Sequence, residues 1–250
     1  MLDSHQRLEA PLSAQVEFWN AWNAKEREDG IARVSIEQAD TVMTWLHRLD
    51  RVDLNILEVG CGAGWLCSML AQFGAVTGTD LSDQVLARAA LRAPSVRFVA
   101  GDFMTLDLAK ETYDVVACLE VLSHVDNQPE FISKIASVLR PGGYLMLATQ
   151  NRPQLERNDI PPPMPGQIRN WVDRSKLSDL VAPQFDIEEL FSITPIFNTG
   201  YMRYVTSHKL HLLLSKLGAG SAVKWLTKKQ EAAWMGWTLM TLARKPGNLV

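Results

Sequence analysis

Short apolar runs that alternate with helical patterns constrain this chain more than any other feature. Between residues 55 and 150, five such runs alternate with helical segments. Such alternation is typical of a parallel sheet with helices on both faces, and near-continuous apolar runs indicate strands buried on both sides. We therefore predict an α/β fold with a doubly wound sheet. The strands predicted for this core span residues 56–59, 76–79, 96–99, 113–119 and 144–149.

Further elements are predicted before and after this core. Two helices at 13–30 and 35–50 come first, and Ser35 with Gln38 forms a capping-box pattern at the start of the second. A proline-rich loop, two more strands and a helical insertion come after the core, which extends the prediction to a seven-stranded, mostly parallel sheet. The predicted regions are an N-terminal helical cap at 1–50, the core at 51–150, and a final part of the same domain at 151–250. Within that final part the loop covers 150–170, the strands are at 185–193 and 234–243, and the insertion at 195–233 holds helices at 201–217 and 221–231.

Charge and composition argue against several classes of protein. The 250 residues carry a formal net charge of −3, which gives no global basic footprint for nucleic acid. The three cysteines, Cys61, Cys67 and Cys118, are scattered, and no Cys/His cluster has zinc spacing, so no metal site is predicted. Residues 1–15 lack the pattern of a secretory signal, and no run approaches the length of a membrane span. We therefore expect a cytoplasmic protein.

A glycine-rich turn follows the first strand of the core and precedes a helix. Its spacing is Gly60-x-Gly62-x-Gly64, and Trp65 stands where a dinucleotide-binding turn needs its third glycine. No Lys-Ser/Thr pair follows, so the turn is not a P-loop. Glu58 at the end of the strand would repel a diphosphate but attract a ligand that carries an ammonium or sulfonium group. The turn therefore predicts a site for a cationic ligand.

Two more carboxylates follow the next strands of the core. Asp80 lies twenty residues after Gly60, where an acidic side chain can accept both hydroxyls of a ribose. Asp102 follows the third strand and could accept from an exocyclic adenine amine, with Phe103 beside the ring. Because open α/β sheets bind ligands at the carboxyl ends of their strands, these residues predict a nucleoside site.

Taken in order, these motifs resemble those of the class I S-adenosylmethionine-dependent methyltransferases, over about residues 40–150. The segments that carry the resemblance are 58–64 (EVGCGAG), 80–82 (DLS), 101–103 (GDF), 113–116 (YDVV) and 139–143 (LRPGG). The segments 119–125 (LEVLSHV) and 149–152 (TQNR) are most similar to the ubiquinone-biosynthesis type of small-molecule O-methyltransferase, although Ser123 stands where those enzymes usually carry an acid. The resemblance implies a Rossmann-like fold and S-adenosyl-L-methionine as cofactor, with S-adenosyl-L-homocysteine as product.

The resemblance also implies roles for individual residues. The glycines would form the floor under the methionine part of the cofactor, Glu58 would orient its amino group, and Leu81 would pack on adenine. Leu119, Glu120 and His124 would line the mouth near the sulfonium. The predicted cofactor-binding set is Glu58, Gly60, Cys61, Gly62, Gly64, Asp80, Leu81, Asp102, Phe103, Leu119 and Glu120.

Transfer of a methyl group to a hydroxyl oxygen also needs a group that takes the proton. His124 is the candidate general base, because it follows the fourth strand and imidazole titrates near neutral pH. It could instead brace the following helix, and Glu120 could serve as the base.

The acceptor site is expected outside the core, because this fold adds its substrate site around a common cofactor half. Trp19 could be a core residue of the first helix or part of a lid. The residues predicted to bind substrate are Trp19, Asn151, Arg152, Arg169 and Tyr201. The basic residues of the insertion read most simply as a solvated face, and alternatively as a surface for an acidic substrate or a peripheral membrane contact.

These patterns predict a methyltransferase that acts on a hydroxyl oxygen of a small-molecule acceptor by in-line displacement, as a monomer or homodimer. Three alternatives stay open: an N-methyltransferase of a small amine, a non-catalytic protein that binds the cofactor, and an NAD-dependent dehydrogenase. Methylation of nucleic-acid bases is disfavoured, because Leu119–Leu122 stands where such enzymes often carry an Asn/Asp-Pro-Pro-Tyr-like motif.

Overall fold

A computed structural model describes residues 11–26 and 31–247 of the chain. Three stretches lie outside this described part: residues 1–10, 27–30 and 248–250. The prediction that the N-terminus carries no secretory signal falls on the first stretch, and the last residues of the first predicted helix form the second.

The chain folds around one seven-stranded sheet with strand order β3-β2-β1-β4-β5-β7-β6. Strands β1 to β5 pair in parallel, and β7 runs antiparallel between β5 and β6. The prediction of a seven-stranded, mostly parallel sheet is thereby confirmed. The strands are β1 (Leu54–Val59), β2 (Gly74–Asp80), β3 (Arg97–Ala100), β4 (Tyr113–Leu119), β5 (Leu139–Gln150), β6 (Asp186–Ile193) and β7 (Thr238–Arg244).

Helices cover both faces of the sheet, and each face has its own apolar core. Helices α2, α3 and α4 contribute Trp45, Leu66 and Leu86 to one core, while α5 and α7 contribute Phe131 and Leu177 to the other. The helices are α1 (Leu12–Glu26), α2 (Arg33–Leu49), α3 (Trp65–Leu70), α4 (Asp83–Arg92), α5 (Gln128–Val138), α6 (Arg152–Leu155), α7 (Arg174–Val181), α8 (Met202–Val205), α9 (His208–Lys216) and α10 (Gly220–Ala232). Within the described residues, no helix has both the length and the apolar character that crossing a membrane would require.

Two local predictions differ from the structure. The capping box at Ser35 is wrong: α2 begins at Arg33 after Ala32, whose side chain makes no cap, and Ser35 is buried inside the first turn. The pattern of residues 65–73 predicts a helix that Gly74 stops, whereas α3 ends at Leu70 because the chain turns there to enter β2. In both places the packing against the sheet, and not the local sequence pattern, decides where the helix begins or ends.

Candidate active site

A cavity of about 700 Å³ opens at the carboxyl ends of the central strands. This volume is within the range of sites that bind small molecules and cofactors. Its floor is formed by the glycine loop (60–64) with Asp80 and Asp102, at the ends of β1, β2 and β3. Its cover is formed by α1 and by the proline-rich segment 161–168, which contributes Gln167 and Ile168 to the lining.

The glycine loop is held close to its neighbours on both sides. Gly60 has a positive φ of 70°, and a Cβ there would lie 2.2 Å from Cγ2 of Val121 in the loop after β4. On the other side the Gly62 N–H donates to Oδ2 of Asp80 at 2.9 Å, while the Ser82 N–H donates to Oδ1 at 3.2 Å. Burial raises the pKa of Asp80, and the backbone donors oppose that shift. Asp80 therefore positions the loop in addition to facing the cavity.

Glu58 is the strongest sign of a cationic ligand. Its side chain lines the cavity, the residue is 4% exposed, and its Oε2 atom has no hydrogen-bond partner. Burial raises the pKa of Glu58 to about 8, and the charge of Asp80 adds to that shift. A positive group bound beside this carboxyl would restore its ionised form and supply the missing partner.

The charged groups that line the cavity are of one sign. They are Glu58, Asp80, Asp102, Glu120, Asp126 and Glu130, and among the described residues no Lys or Arg lines the cavity. Such a lining attracts a ligand with positive charge and disfavours a diphosphate. The lining therefore fits S-adenosylmethionine, which carries an ammonium and a sulfonium group, better than a dinucleotide.

The end of the cavity next to β3 is aromatic and polar. Phe103 packs edge-on against Phe131 with ring centroids 5.4 Å apart. Asp102 lies beside it and accepts a hydrogen bond from the Met104 N–H at 3.0 Å. A carboxylate oxygen next to an aromatic ring can accept from an amine of a flat heterocycle, so this end suits an adenine.

Helix α1 closes the cavity from above. The Trp19 ring lies 4.6 Å from the His124 ring and 5.7 Å from the Trp22 ring, measured between centroids. The side chain of Asn20 donates to Oε1 of Gln84 on α4 at 2.9 Å, which fixes α1 to the body of the protein. Trp19 could be a core residue of the first helix or part of a lid, and in the structure it lies in the cover of the cavity.

His124 faces the cavity as a neutral imidazole. Its Nδ1 lies 2.7 Å from the carbonyl oxygen of Ile168 in the cover. Because a carbonyl can only accept, Nδ1 carries the proton and Nε2 keeps a lone pair. Burial lowers the pKa of His124 to about 4. The ring therefore braces the proline-rich segment and not the following helix, while its second nitrogen stays a possible proton acceptor.

The structure brings most of the predicted residues together and separates the rest. Twelve of the seventeen line one cavity: Trp19, Glu58, Gly60, Cys61, Gly62, Asp80, Leu81, Asp102, Phe103, Leu119, Glu120 and His124. Gly64 does not, since it lies against Phe98 and Ala89 beneath the loop. The roles of the twelve remain predictions, but their shared location is a structural fact.

The residues predicted to bind substrate after β5 lie elsewhere. Asn151 is buried and donates to the carbonyl oxygens of Trp234 and Gly236, and Arg152 pairs with Asp173. These two side chains stabilise the junction of β5 with its neighbours and are not part of the cavity lining.

The last two predicted substrate residues also lie outside the lining. Arg169 donates to the Pro161 carbonyl oxygen at 2.5 Å and lies 4.9 Å above the Trp171 ring, so it shapes the proline-rich segment from behind. Tyr201 is 77% exposed on the insertion. Because the insertion is turned outward, composition alone could not tell that its aromatic residues do not face the cavity.

Gln38 is a cavity residue that the sequence reasoning missed. Its amide donates to Oε1 of Glu120 at 2.7 Å and to Oγ1 of Thr238 at 2.9 Å, and so connects α2 to the ends of β4 and β7. A signal was present in the sequence, because Gln38 falls on the apolar stripe of α2 with Ala39 and Val42. A polar residue on a buried stripe needs a polar partner, but the partner itself is distant in sequence.

Comparison with known proteins agrees with this geometry. Residues 57–147 match the family model described as "Methyltransferase domain". The chain is 36% identical over 114 residues to a ubiquinone biosynthesis O-methyltransferase from Saccharophagus degradans, and 39% identical over 104 residues to one from Mesorhizobium japonicum. The alignments cover 42% and 40% of this chain, and 48% and 42% of those relatives. The chain therefore spans about half the length of the curated relatives it matches.

Solved structures share the fold at low sequence identity. An S-adenosylmethionine-dependent methyltransferase from Mesorhizobium loti aligns with a TM-score of 0.59 at 19% identity, over 81% of this chain and 96% of that one. The N-methyltransferase NodS from Bradyrhizobium japonicum, crystallised with S-adenosyl-L-homocysteine, aligns with a TM-score of 0.63 at 16% identity, over 93% of this chain and 99% of that one. Residues 57–147 therefore match the methyltransferase domain, and the chain as a whole has the fold of S-adenosylmethionine-dependent methyltransferases.

Proposed function

We propose that this protein transfers the methyl group of S-adenosylmethionine to a small-molecule acceptor, at a hydroxyl oxygen. One observation carries the proposal: a neutral His124 and a buried Glu58, of which one carboxyl oxygen has no hydrogen-bond partner, face the same acid-lined cavity. The carboxylates suit the cationic cofactor, and the imidazole suits the removal of a proton from an acceptor.

The chain's own contribution begins with binding and orientation. Asp80 would accept from the ribose hydroxyls with the lone pairs that its two backbone donors leave free, and Glu58 would pair with the ammonium group. When bound, the cofactor supplies an electrophilic methyl group on its sulfonium. Holding the acceptor atom in line with that methyl group can contribute about 7–11 kcal/mol through effective molarity.

His124 would then accept the proton of the acceptor hydroxyl at Nε2. A pKa of about 4 keeps Nε2 unprotonated at neutral pH, and it also makes the imidazole a weak base. The proton would therefore pass to Nε2 as the oxygen bonds to the methyl group, because that bond makes the hydroxyl strongly acidic. The bond from Nδ1–H to the Ile168 carbonyl fixes the tautomer, and the contact with Trp19 fixes the ring plane.

The name of the curated relatives supports oxygen as the methylated atom. They are named for O-methylation in ubiquinone biosynthesis, and the floor residues of the cavity fall within residues 57–147, which match the methyltransferase family model. The acid lining favours a second candidate, a small amine, because a protonated amine is attracted by the same carboxylates. A carboxylate acceptor is disfavoured, since no Lys or Arg of the described residues lines the cavity.

The test uses deuteromethyl-labelled cofactor with matched pairs of aromatic alcohols and amines, read by mass spectrometry. We expect label on oxygen, and His124→Ala should lower turnover about 10²–10⁴-fold while leaving cofactor affinity unchanged. His211→Ala is the matched control, because His211 also bonds a backbone carbonyl through one ring nitrogen, but on the insertion. Label on nitrogen, with turnover insensitive to His124→Ala, would establish the amine instead. Tight cofactor binding without any product across the panel would support the non-catalytic alternative.

A further inference from the structure

The insertion exposes an unusual share of the protein's apolar surface. Of the thirteen large apolar side chains that are exposed in the described part of the chain, seven lie between residues 201 and 225. They are Tyr201, Tyr204, Leu210, Leu212, Leu213, Leu217 and Trp225. Single exposed apolar residues are normal, whereas a cluster marks a surface that is covered by something else.

The same segment carries a charge opposite to that of the rest of the protein. Residues 201–233 contain six Lys and Arg against a single acidic residue, Glu231, which gives a net charge of +5. Because the whole chain carries −3, the remainder carries −8. The insertion is therefore a basic surface on an acidic protein.

Apolar and basic side chains are interleaved on this surface. On α9, Leu210 and Leu213 share one face, which Leu217 extends past the end of the helix, and Lys209 and Lys216 lie beside it. On α10, the ammonium of Lys229 lies 5.8 Å from the centroid of the exposed Trp225 ring. On α8, the guanidinium of Arg203 lies 4.5 Å from the Tyr204 ring centroid. We call these residues the insertion surface.

We propose that the insertion surface docks the protein onto an anionic lipid bilayer. Lys and Arg at the rim of an apolar, aromatic helical surface fit the boundary between acidic headgroups and acyl chains. A second copy of the chain fits less well, because two surfaces of charge +5 would face one another. The positive charge of the insertion surface opposes self-association, and the same positive charge is attracted by an acidic membrane.

The insertion is connected to the cover of the cavity. The amides of Gln154 and Asn158 donate to the carbonyl oxygen of Ile196 at 2.7 Å and 3.2 Å, which fixes the start of the insertion to the segment that leads into the proline-rich part of the cover. The docking surface stands on its own composition and does not depend on which acceptor is methylated.

The test is co-sedimentation of the full chain with vesicles of phosphatidylcholine alone and of phosphatidylcholine with about one third phosphatidylglycerol. We expect binding to the anionic vesicles to be about tenfold tighter or more, and to fall steeply when salt is raised to about 0.5 M. Two variants should each lower that binding about tenfold: one carries Lys209→Glu, Lys216→Glu and Lys229→Glu, and the other Leu213→Ser, Leu217→Ser and Trp225→Ser.

The matched control is Leu91→Ser with Lys110→Glu, because Leu91 is 85% exposed on α4 and the exchange is chemically the same. Cofactor affinity, measured by calorimetry, should stay unchanged in all variants. An unchanged affinity shows that the variant is folded. Equal binding to both vesicle types, or equal loss in the control, would overturn the proposal. A dimer in solution that dissociates on Leu213→Ser with Leu217→Ser would overturn it in favour of a second copy.

Discussion

The floor and the cover of the cavity are built in different ways. The floor comes from turns that directly follow β1, β2 and β3, and hydrogen bonds such as that from the Gly62 N–H to Asp80 join neighbouring strand ends. The cover comes from α1 and the segment 161–168, which are distant in sequence yet meet closely: a Cβ at Gly166 would lie 2.3 Å from the carbonyl oxygen of Ala14. The difference teaches that local turns specify the shape of the floor, whereas long-range packing specifies the cover.

The floor should be the part that tolerates change least. Gly60→Ala should lower the free energy of unfolding by about 2–4 kcal/mol and abolish cofactor binding, because the new Cβ overlaps Val121 and φ is positive. Gly218→Ala is the control, since φ is also positive there but no atom lies within 4 Å, and it should cost about 1–2 kcal/mol with normal binding. Thermal unfolding and calorimetry measure both. If the two variants behaved alike, the close approach at Gly60 would have no role.

A second experiment separates the two roles of Asp80. Asp80→Ala should weaken cofactor binding by about 1–3 kcal/mol, because the ribose hydroxyls and the Gly62 N–H both lose an acceptor. Asp80→Asn keeps one carbonyl oxygen for that N–H, so it should preserve the melting temperature without cofactor and lose only part of the affinity. Normal affinity in both variants, measured by calorimetry, would remove Asp80 from the site.

The pKa of Glu58 predicts proton release when the cofactor binds. With a pKa of about 8 the carboxyl is about nine-tenths protonated at pH 7, and a cation beside it favours the ionised form. Binding should therefore release close to one proton at pH 7, and affinity should rise with pH until about pH 8 and then level off. Glu58→Gln should abolish the release and cost about 1 kcal/mol of affinity at pH 7.

Calorimetry in two buffers of different ionisation enthalpy counts those protons. Glu130→Gln serves as the control, because Glu130 lines the same cavity but is exposed and hydrogen-bonded to Asn127. Proton uptake in place of release would contradict the cationic ligand.

The same carboxyl also affects stability in the absence of ligand. Its pKa in the folded protein lies above the value in the unfolded chain, so its contribution to stability is present below about pH 4.5 and is lost as the pH rises through about 8. Protein without cofactor should therefore gain stability on Glu58→Gln above pH 8, which denaturant unfolding measures.

The smallest effect is expected outside both floor and cover. Tyr201→Ala should change turnover by less than about twofold, because the side chain is exposed on the insertion and does not line the cavity. A loss of more than tenfold in kcat/KM would mean that the insertion closes over the acceptor and is itself part of the cover.

Much of the fold was predictable because its signals are local. Buried parallel strands are recognisable as apolar runs, and Ser82, a residue type that favours helix N-caps, caps α4 by accepting from the Val85 N–H. Where a buried polar side chain has its hydrogen-bond partner far away in the sequence, the local pattern led to a wrong prediction. Ser35 and Gln38 imitate a capping box, yet Gln38 reaches Glu120 across 82 residues of sequence.

The sequence by itself determined the sheet, the glycine loop and the carboxylates at the strand ends, because a turn fixes its own geometry within a few residues. Only the tertiary structure decided that Trp19 and His124 meet, that Asn151 and Arg152 stabilise a strand junction, and that Tyr201 points outward. These contacts join segments far apart in the chain, and which segments meet depends on how whole faces of helices and loops pack, not on the type of any single residue.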